Sequence, residues 1–480
     1  MTKIKNSIIL LILLLTSIGA SAQSETLADY LEIAIKNNPG LKADYLSYQA
    51  SLQKIPQAGA IPDPQLDMGF FLKPMDIIDG SQVADFTLMQ MFPWFGTRKT
   101  AQTEANHMAN MEFEKFRETR DNLYLSIYTQ WFVLCSLQQK LQNNQENKKY
   151  LEQLETLSIR KFASPISSSS SYPVPVPQSS SNTVSSSSSG MGGMSNMGSS
   201  ISQPQSKSNA MSSMGGSGGS MSTGAPGMSD VLRIQLEAVE LENSIESILS
   251  EMKSEKAKLN ALLNRPAESE VNIPVSFEQI PFTLDIPSAM DKIITQNPML
   301  GMINEEALAY KAKQEMDKKM SYPMLGVGLQ YSLIKKRMAM EIPVTEMNGM
   351  DMLMPMFSVS IPIYRNKYKA QQKESELRWQ SSKERYAEVY NSLEAELFKT
   401  KHLLDDASRQ IKLLEKQTNL ALTTYNLVVQ EFVTGKSDLT NVIQVQRQLL
   451  DYQLRKSEAI ASFNTMVANA QRLISSKETK

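Results

Sequence analysis

Methionine is the residue type in this chain whose abundance and spacing point most directly to chemistry. The 480 residues include 29 methionines, and many of them fall into two clusters. Thioether sulfur is a soft ligand that suits Cu(I) and, by the same softness, Ag(I). In a flexible chain, a spacing of three residues lets several sulfurs gather around one ion. The first cluster lies in a Ser- and Gly-rich segment, residues 165–228, and comprises Met191, Met194, Met197, Met211, Met214, Met221 and Met228.

The second cluster lies within residues 338–356 and has a more ordinary explanation. Ile342, Val344 and Leu353 interleave with its methionines, so packing competes with metal binding there. The first cluster has no apolar core to fill. The alternatives to metal binding there are a neutral accumulation of methionine in a low-complexity segment and an apolar contact surface for a partner protein. The members of the second cluster are Met338, Met340, Met347, Met350, Met352, Met354 and Met356.

Other residue types give no sign of catalytic chemistry. Cys135 is the single cysteine, so it cannot form an internal disulfide, and its helical apolar surroundings predict a small buried hydrophobe. His107 and His402 lie far apart on long polar segments, where solvated faces are expected rather than a metal or nucleophilic site. The formal net charge of -1 gives no reason to expect nucleic acid. We therefore predict neither an enzyme nor a bound cofactor.

The first 22 residues have the pattern of a secretory signal peptide. Lys3 and Lys5 form a basic region, residues 8–15 are an unbroken apolar run, and residues 20–22 read Ala-Ser-Ala, a small-residue cleavage site. The apolar run is too short for a bilayer span, which needs roughly 20 residues. The mature chain is predicted to begin at Gln23 and to leave the cytoplasm.

The rest of the chain contains an internal repeat. Three landmarks recur at one constant offset, which indicates a duplication. We predict a first repeat over 23–264, a linker or equatorial segment over 265–286 and a second repeat over 287–480. The landmark pairs are Asn38-Pro39 with Asn297-Pro298, Pro64 with Pro323, and Gly69 with Gly328.

Each repeat is predicted to contain an opening helix and a pair of strands. In the first repeat the helix covers 27–58 and the strands cover 64–73 and 83–93, while the second repeat supplies strands at 323–333 and 355–364. Apolar and polar residues alternate along 65–70, as in a membrane strand. A closed barrel needs about eight strands, so four strands require several copies of the chain, and three copies would supply twelve.

Long helices follow each strand pair. The segment 366–434 contains no proline and shows two apolar seams of seven-residue period, typical of a coiled coil. At 1.5 Å per residue such a helix is roughly 100 Å long. The segment 97–162 matches it in the first repeat, and a helix at 438–475 runs back. The two seams are Leu393, Thr400, Ala407, Leu414, Ala421 and Val428, and Leu397, Leu404, Ile411, Thr418, Tyr425 and Phe432.

The tips of the two helical hairpins differ in sequence. At the second tip, Gly435 ends the long helix and Ser437-Asp438 can cap the next one. The first tip contains the 165–228 insert, which has one charged residue, Lys207, and is predicted to be disordered. Prolines within 265–287 exclude a single helix there and predict a short mixed belt around the helices.

These patterns together resemble the TolC-like outer-membrane efflux protein family, the outer-membrane factors of tripartite heavy-metal and drug exporters. The resemblance covers 25–475 except the insert, and its specificity comes from an ordered set of features present in duplicate. The matching segments are the helix starts 31–39 and 289–298, the strand exits 90–96 and 360–364, and the tip 435–439 followed by Gln446, Leu449 and Leu450.

The resemblance implies a fold that is mainly α with membrane β. Four strands per chain would contribute to a trimeric, 12-stranded outer-membrane β-barrel, continued by a long α-helical barrel in the periplasm. It also implies a homotrimer in contact with outer-membrane lipid. A periplasmic adaptor, also called a membrane fusion protein, and an inner-membrane pump of the RND type would dock at the tip.

The resemblance also suggests which tip residues form a gate. Relatives can place acidic rings just beyond the second tip turn, where this chain has Asn441 and Gln444. Asp230 and Asp438 could still provide carboxylates at the pore, although helix N-caps are the competing role for both. Adaptor docking is expected at a tip surface comprising Phe162, Ser229, Phe432 and Gly435.

We predict an outer-membrane efflux channel that extends into the periplasm and acts as a passive conduit. The best single substrate prediction is Cu(I) or Ag(I). Multidrug, bile-salt or type I protein export through the same channel is the nearest alternative. A periplasmic coiled-coil structural or adaptor protein without a pore is a third, but it leaves the alternating strands unexplained.

Overall fold

The structure, a computed structural model, describes residues 26–77, 79–163, 228–336 and 348–475. The predicted signal peptide and the insert apart from Met228 lie outside these residues. Among the described residues, two strand pairs are embedded in a mainly helical chain. The elements are α1 (Leu27–Asn37), α2 (Pro39–Ala58), β1 (Gln65–Ile77), β2 (Gly80–Phe92), α3 (Thr97–Ala163), α4 (Met228–Leu262), α5 (Ile286–Gln296), α6 (Pro298–Met320), β3 (Met324–Lys335), β4 (Met352–Ser360), α7 (Arg365–Val433) and α8 (Leu439–Leu473).

The order of elements over 27–262 recurs over 286–473. Each half contains two short helices, two strands, one long helix and one returning helix. The prediction of a single helix over 27–58 is wrong, because the helix is interrupted between Asn38 and Pro39. Proline disfavours the α conformation in the residue before it, and Asn38 accordingly has an extended ψ of 122°.

An asparagine at this break ties the start of one helix to the end of another. The Asn38 side chain accepts a hydrogen bond from the Leu41 N–H at 3.0 Å and donates one to the Leu262 carbonyl at 3.1 Å. Asn297 repeats the arrangement in the second half and donates to the Leu473 carbonyl at 2.9 Å. One side chain thus caps a helix start and satisfies a carbonyl at the end of a returning helix.

Replacement of this asparagine should measurably destabilise the helical body. Asn297 is 8% exposed, and we expect Asn297→Ala to cost about 1–2 kcal/mol, because a helix cap is lost and a buried carbonyl loses its donor. Thermal unfolding of the purified protein measures the effect. Asn441→Ala, at an exposed position of α8, is the matched control. Equal melting temperatures for the two variants would contradict the proposed tie.

The four strands form one antiparallel sheet in the order β1-β2-β3-β4. β1 extends beyond its predicted end through Pro74 to Ile77, and β4 begins at Met352, before its predicted start, and contains Pro355. Proline lacks the N–H that a central strand needs, but an edge strand tolerates it. β1 and β4 are the two edges of the sheet, so both prolines occupy permitted places.

The long helices bury the predicted seams. In α7, Leu393, Leu397, Leu404, Ile411 and Leu414 are all buried and join one apolar core with α8. At 1.5 Å per residue, the 69 residues of α7 span roughly 100 Å. Within the described residues, no helix is both long and apolar enough to cross a membrane.

The segment between the two halves has no regular helix, as predicted. It crosses α8, where the Asn464 side chain accepts from the Ile280 N–H at 2.9 Å and donates to the Glu278 carbonyl at 3.0 Å. Phe277 and Phe282 from this segment pack against the apolar cores of the first and second halves respectively. The segment therefore joins the two halves through side chains of both.

Candidate functional site

The elements lie side by side in a layer four elements wide. Next to the sheet, the helices contact one another in the order α2, α3, α6, α7, and toward the tip the order is α4, α3, α8, α7. The layer therefore has one edge formed by α2, β1 and α4, and another formed by β4 and α7. Such a layer has two lateral surfaces that it cannot cover itself.

Both helical edges expose large apolar side chains. On α7, Leu413, Leu420 and Leu427 are exposed and lie seven residues apart, so they form a stripe. On α4, Leu232 and Val239 are exposed at the same spacing. Exposed apolar stripes on edge helices indicate surfaces that a further protein chain covers.

One face of the sheet is apolar and exposed. Strand register places the alternating apolar residues of all four strands on this face. At the strand ends, the rings of Trp94 and Tyr322 stack with centroids 5.3 Å apart, and Tyr364 is exposed. Aromatic residues at the ends of an apolar band are typical of a lipid–water boundary. The face includes Leu66, Met68, Phe70, Phe86, Leu88, Leu325, Val327, Leu329, Leu353, Phe357 and Val359.

The second hairpin tip turns at Gly435. Its φ of +77° lies in the left-handed region that glycine adopts without strain, and the Lys436 N–H donates to the Glu431 carbonyl at 2.8 Å. Asp438 occupies the N-cap position of α8, but its side chain makes no cap hydrogen bond. The Asp438 side chain therefore does not cap α8, in contrast to the prediction.

Three of the predicted gate residues share one exposed face at the start of α8. Asp438, Asn441 and Gln444 are all exposed, at three-residue intervals. Asp230, the fourth, is half-buried in the first turn of α4 on the other hairpin. The arrangement presents one carboxylate and two amides per chain on the second tip. Amides line a passage without the field of a carboxylate ring.

The predicted docking residues differ in accessibility. Gly435 and Ser229 are exposed, whereas Phe432 is 2% exposed and lies beneath the tip surface. Phe162 belongs to the last turn of α3, and its side chain lies outside the described residues. Phe432 instead joins the hairpins, because Lys161 donates from Nζ to its carbonyl at 2.7 Å and lies 4.3 Å from its ring centroid.

Charged contacts also connect the two hairpins near the tip. Arg447 of α8 forms an ion pair with Glu237 of α4, and Arg233 of α4 donates to the Thr440 hydroxyl at 2.9 Å. The hydrogen bond to Glu237 is the main reason why the pKa of the Arg447 guanidinium is raised. Sequence reasoning missed these residues, because 210 positions separate Arg447 from Glu237 and no local pattern links them.

The predicted metal and histidine positions give a mixed result. Of the first methionine cluster, only Met228 is described, and it is exposed at the start of α4. Within the described residues, no group of three or more His, Cys, Asp and Glu side chains is placed to hold a metal. His402 is exposed as predicted. The prediction of a solvated face is wrong for His107, because its Nδ1 lies 2.8 Å from Glu305 Oε2 in a half-buried contact between α3 and α6.

The buried cysteine should be chemically silent in the folded protein. Cys135 is buried, as predicted, and burial raises the pKa of its thiol to about 12. The thiolate is the reactive form, so at pH 7 to 9 the folded chain should resist maleimide while the denatured chain is labelled. Mass spectrometry after labelling with and without denaturant checks this. Rapid labelling of the folded protein would contradict the assigned burial.

Solved outer-membrane proteins share this architecture. The structure matches VceC from Vibrio cholerae with a TM-score of 0.65 at 12% identity, over 93% of this chain and 95% of that one. It matches CusC, which forms a transmembrane channel, with a TM-score of 0.66 at 13% identity, over 94% of this chain and 92% of that one. The CmeC outer-membrane channel of Campylobacter jejuni matches with a TM-score of 0.64 at 9% identity, over 95% and 90%.

These matches are structural and not matches of sequence. No protein-family model matches the sequence, and no curated protein sequence does so either. The structural matches extend over more than nine-tenths of the chain. The chain therefore has the fold of the TolC-like outer-membrane channels, as its sequence resemblance to that family predicted.

Proposed function

We propose that this protein is the outer-membrane channel of a tripartite efflux system. The main support for this proposal is the four-element layer with its two uncovered edges. The layer has an apolar sheet face at one end and apolar helix edges along its length. An unpaired strand edge is not tolerated in lipid. Both sheet edges must therefore pair with other copies of the chain if the sheet lies in the outer membrane.

Three copies close this layer most simply. β4 of one copy would pair with β1 of the next, so that three sheets of four strands form a barrel of twelve. Below the sheet, α7 of one copy would meet α2 and α4 of its neighbour, and the leucine stripe of α7 would become buried. The helices would then form a tunnel of roughly 100 Å, on the order of the width of the periplasm.

Transport through such a channel is passive. The channel would open when its tip widens, and an inner-membrane pump of the RND type would supply the energy. A periplasmic adaptor would engage the tip at 160–165, 229–235 and 432–444. The exposed Asp438, Asn441 and Gln444 would line the passage where the helices converge. No catalytic group is required of the channel itself.

The substrate we favour is Cu(I) or Ag(I). The abundance of thioether sulfur in the chain supports this choice, because soft sulfur ligands select these ions over harder ones. Drugs, bile salts or secreted proteins would use the same tunnel without any need for methionine. A periplasmic coiled-coil protein without a pore is the remaining candidate, and it would have no use for the exposed apolar sheet face.

Growth of a deletion strain tests the proposed substrate. Cells lacking the gene are exposed to Cu(I), Ag(I), Zn(II), dyes and bile salts, and are complemented with the full chain or with a chain lacking 165–228. We expect sensitivity to copper and silver that the full chain rescues, with weaker rescue by the shortened chain. Sensitivity confined to dyes or bile salts, rescued equally by both chains, would contradict metal export. Release of the protein from membranes without detergent would contradict a channel of any kind.

A further inference from the structure

The methionines of the sheet are sorted by face in an unexpected way. Among the methionines of the described strands, Met68 is the one whose register places it on the apolar face with Leu66 and Phe70, while Met75 lies beyond a register shift in β1. If methionine served only as an apolar side chain, it would be expected on the lipid-facing side of a membrane strand. The opposite, polar face carries Met89, Met91, Met324, Met352, Met354 and Met356.

The polar face is an ordinary channel-facing surface apart from these residues. It presents Asp67, Thr87, Asp85, Gln330 and Ser358 in register with the methionines. Methionine usually fills gaps in a core, but Met352 and Met354 are exposed on this face. Packing therefore does not account for their placement.

Two glycines of β3 lie in register with methionines of the neighbouring strands. Gly328 of β3 pairs with Met89 of β2 on one side and with Met356 of β4 on the other. The Met89 Sδ lies 3.1 Å from the position that a Cβ on Gly328 would occupy. Since strands are about 4.8 Å apart, the two methionines flank a single missing side chain. The Met89 sulfur therefore lies over Gly328, and Met356 adjoins the same glycine from the other strand.

The adjacent row repeats this feature. Gly326 pairs with Met91 on one side and Ser358 on the other. The Met91 Sδ lies 2.6 Å from the Cβ position of Gly326, so any larger residue there would displace the sulfur. The Ser358 hydroxyl lies 3.8 Å from the same sulfur. Two successive glycines of β3 thus admit methionine sulfur from β2.

We propose that the polar face of the sheet binds Cu(I) or Ag(I) ions along its length, with Met89 and Met356 on either side of Gly328 as one pair of thioether ligands and Met91 and Met354 as ligands in the two adjacent rows. The proposal rests on the metal-export function above and assigns that function a place in the channel wall. Neutral thioethers attract a soft cation without the strong charge of a thiolate. An export channel needs such moderate binding, because an ion that enters the channel must also leave it. Asp67 and Asp85 on the same face supply the opposite charge.

Oxidation footprinting tests the site in the intact protein. The full-length protein, purified in detergent, receives a pulse of hydrogen peroxide with and without silver nitrate in chloride-free buffer. Peptide mass spectrometry then measures sulfoxide at each methionine. Silver should slow oxidation of the four ligands at least about fivefold, because a sulfur lone pair held by metal cannot accept oxygen. Met68 on the apolar face and the exposed Met320 of α6 are internal controls. Equal oxidation of the four residues with and without silver would overturn the proposal.

A substitution provides an independent measurement. The triple variant Met89→Leu, Met354→Leu, Met356→Leu keeps side-chain volume and removes sulfur, and Met68→Leu is its matched control. After desalting, the triple variant should retain less silver per chain than the control, and its cells should lose silver tolerance but keep dye tolerance. Equal silver retention would contradict the site. If silver protects the four methionines from oxidation but the deletion strain is not sensitive to silver, the site is supported and metal export is rejected. If the deletion strain is sensitive to silver but the methionines are not protected, metal export is supported and the site is rejected.

Discussion

A single carboxylate in the leucine stripe of α7 is expected to abolish the oligomer. Leu420 is 69% exposed in the isolated chain, and we place it against the neighbouring copy. Burial of a leucine contributes about 1.5–3 kcal/mol, and an unpaired charge at the same place adds a desolvation cost. Each ring contains the substitution at every interface, so Leu420→Glu should yield monomers in size-exclusion chromatography and should not complement the deletion strain.

The control for this variant lies on another face of the same helix. Asn426 is exposed on α7, and Asn426→Glu adds the same charge outside the stripe. This variant should remain oligomeric and active. If Leu420→Glu stays oligomeric but loses export, the stripe instead contacts the adaptor, and our assignment of this surface to a second copy of the chain is wrong.

Removal of the Phe432 ring is expected to loosen the tip while the rest of the chain stays folded. Phe432 is buried among Leu154, Ile234 and Leu439, which belong to both hairpins. Phe432→Ala should cost about 3–5 kcal/mol of local stability, because a large core side chain leaves a cavity. Hydrogen exchange at the tips of α3, α4 and α8 should accelerate. Cells producing the variant should also admit large antibiotics that the outer membrane normally excludes.

The adjacent residue supplies the matched control for this experiment. Val433 follows Phe432 in α7 and is 55% exposed, so Val433→Ala should change neither exchange nor antibiotic sensitivity. Faster exchange spread evenly over the whole chain in Phe432→Ala would indicate general destabilisation. That result would contradict a role for Phe432 in holding the two hairpins together at the tip.

Helical periodicity was predictable because it depends on local geometry alone. The seven-residue seams named from sequence are the buried face of α7, including Leu397, Leu404 and Ile411. The strand-to-helix order was also predictable, since alternation and seven-residue periods differ within a few residues. Strand ends were not. Pro74 and Pro355 mimic turn residues, and only the order of strands in the sheet reveals that both lie in edges.

Contacts between distant segments could not be predicted from one sequence. The His107–Glu305 pair spans 198 positions, and the contact of Lys161 with the Phe432 carbonyl spans 271. The sorting of methionine between the two faces likewise requires the register of three strand pairs. Composition identified sulfur as the unusual element of the chain, but only the sheet places Met89 and Met356 on either side of Gly328.

Disulfide cross-linking between sheet edges tests whether copies of this chain join β4 to β1 in a closed ring. Leu66→Cys on β1 is combined with Phe357→Cys or with Val359→Cys on β4, in the native chain whose Cys135 is buried. If three copies form one barrel, at least one double variant should form covalent trimers in outer-membrane fractions, and each single variant should form none. Monomers only, or a dimer formed by a single variant, would contradict a three-copy barrel.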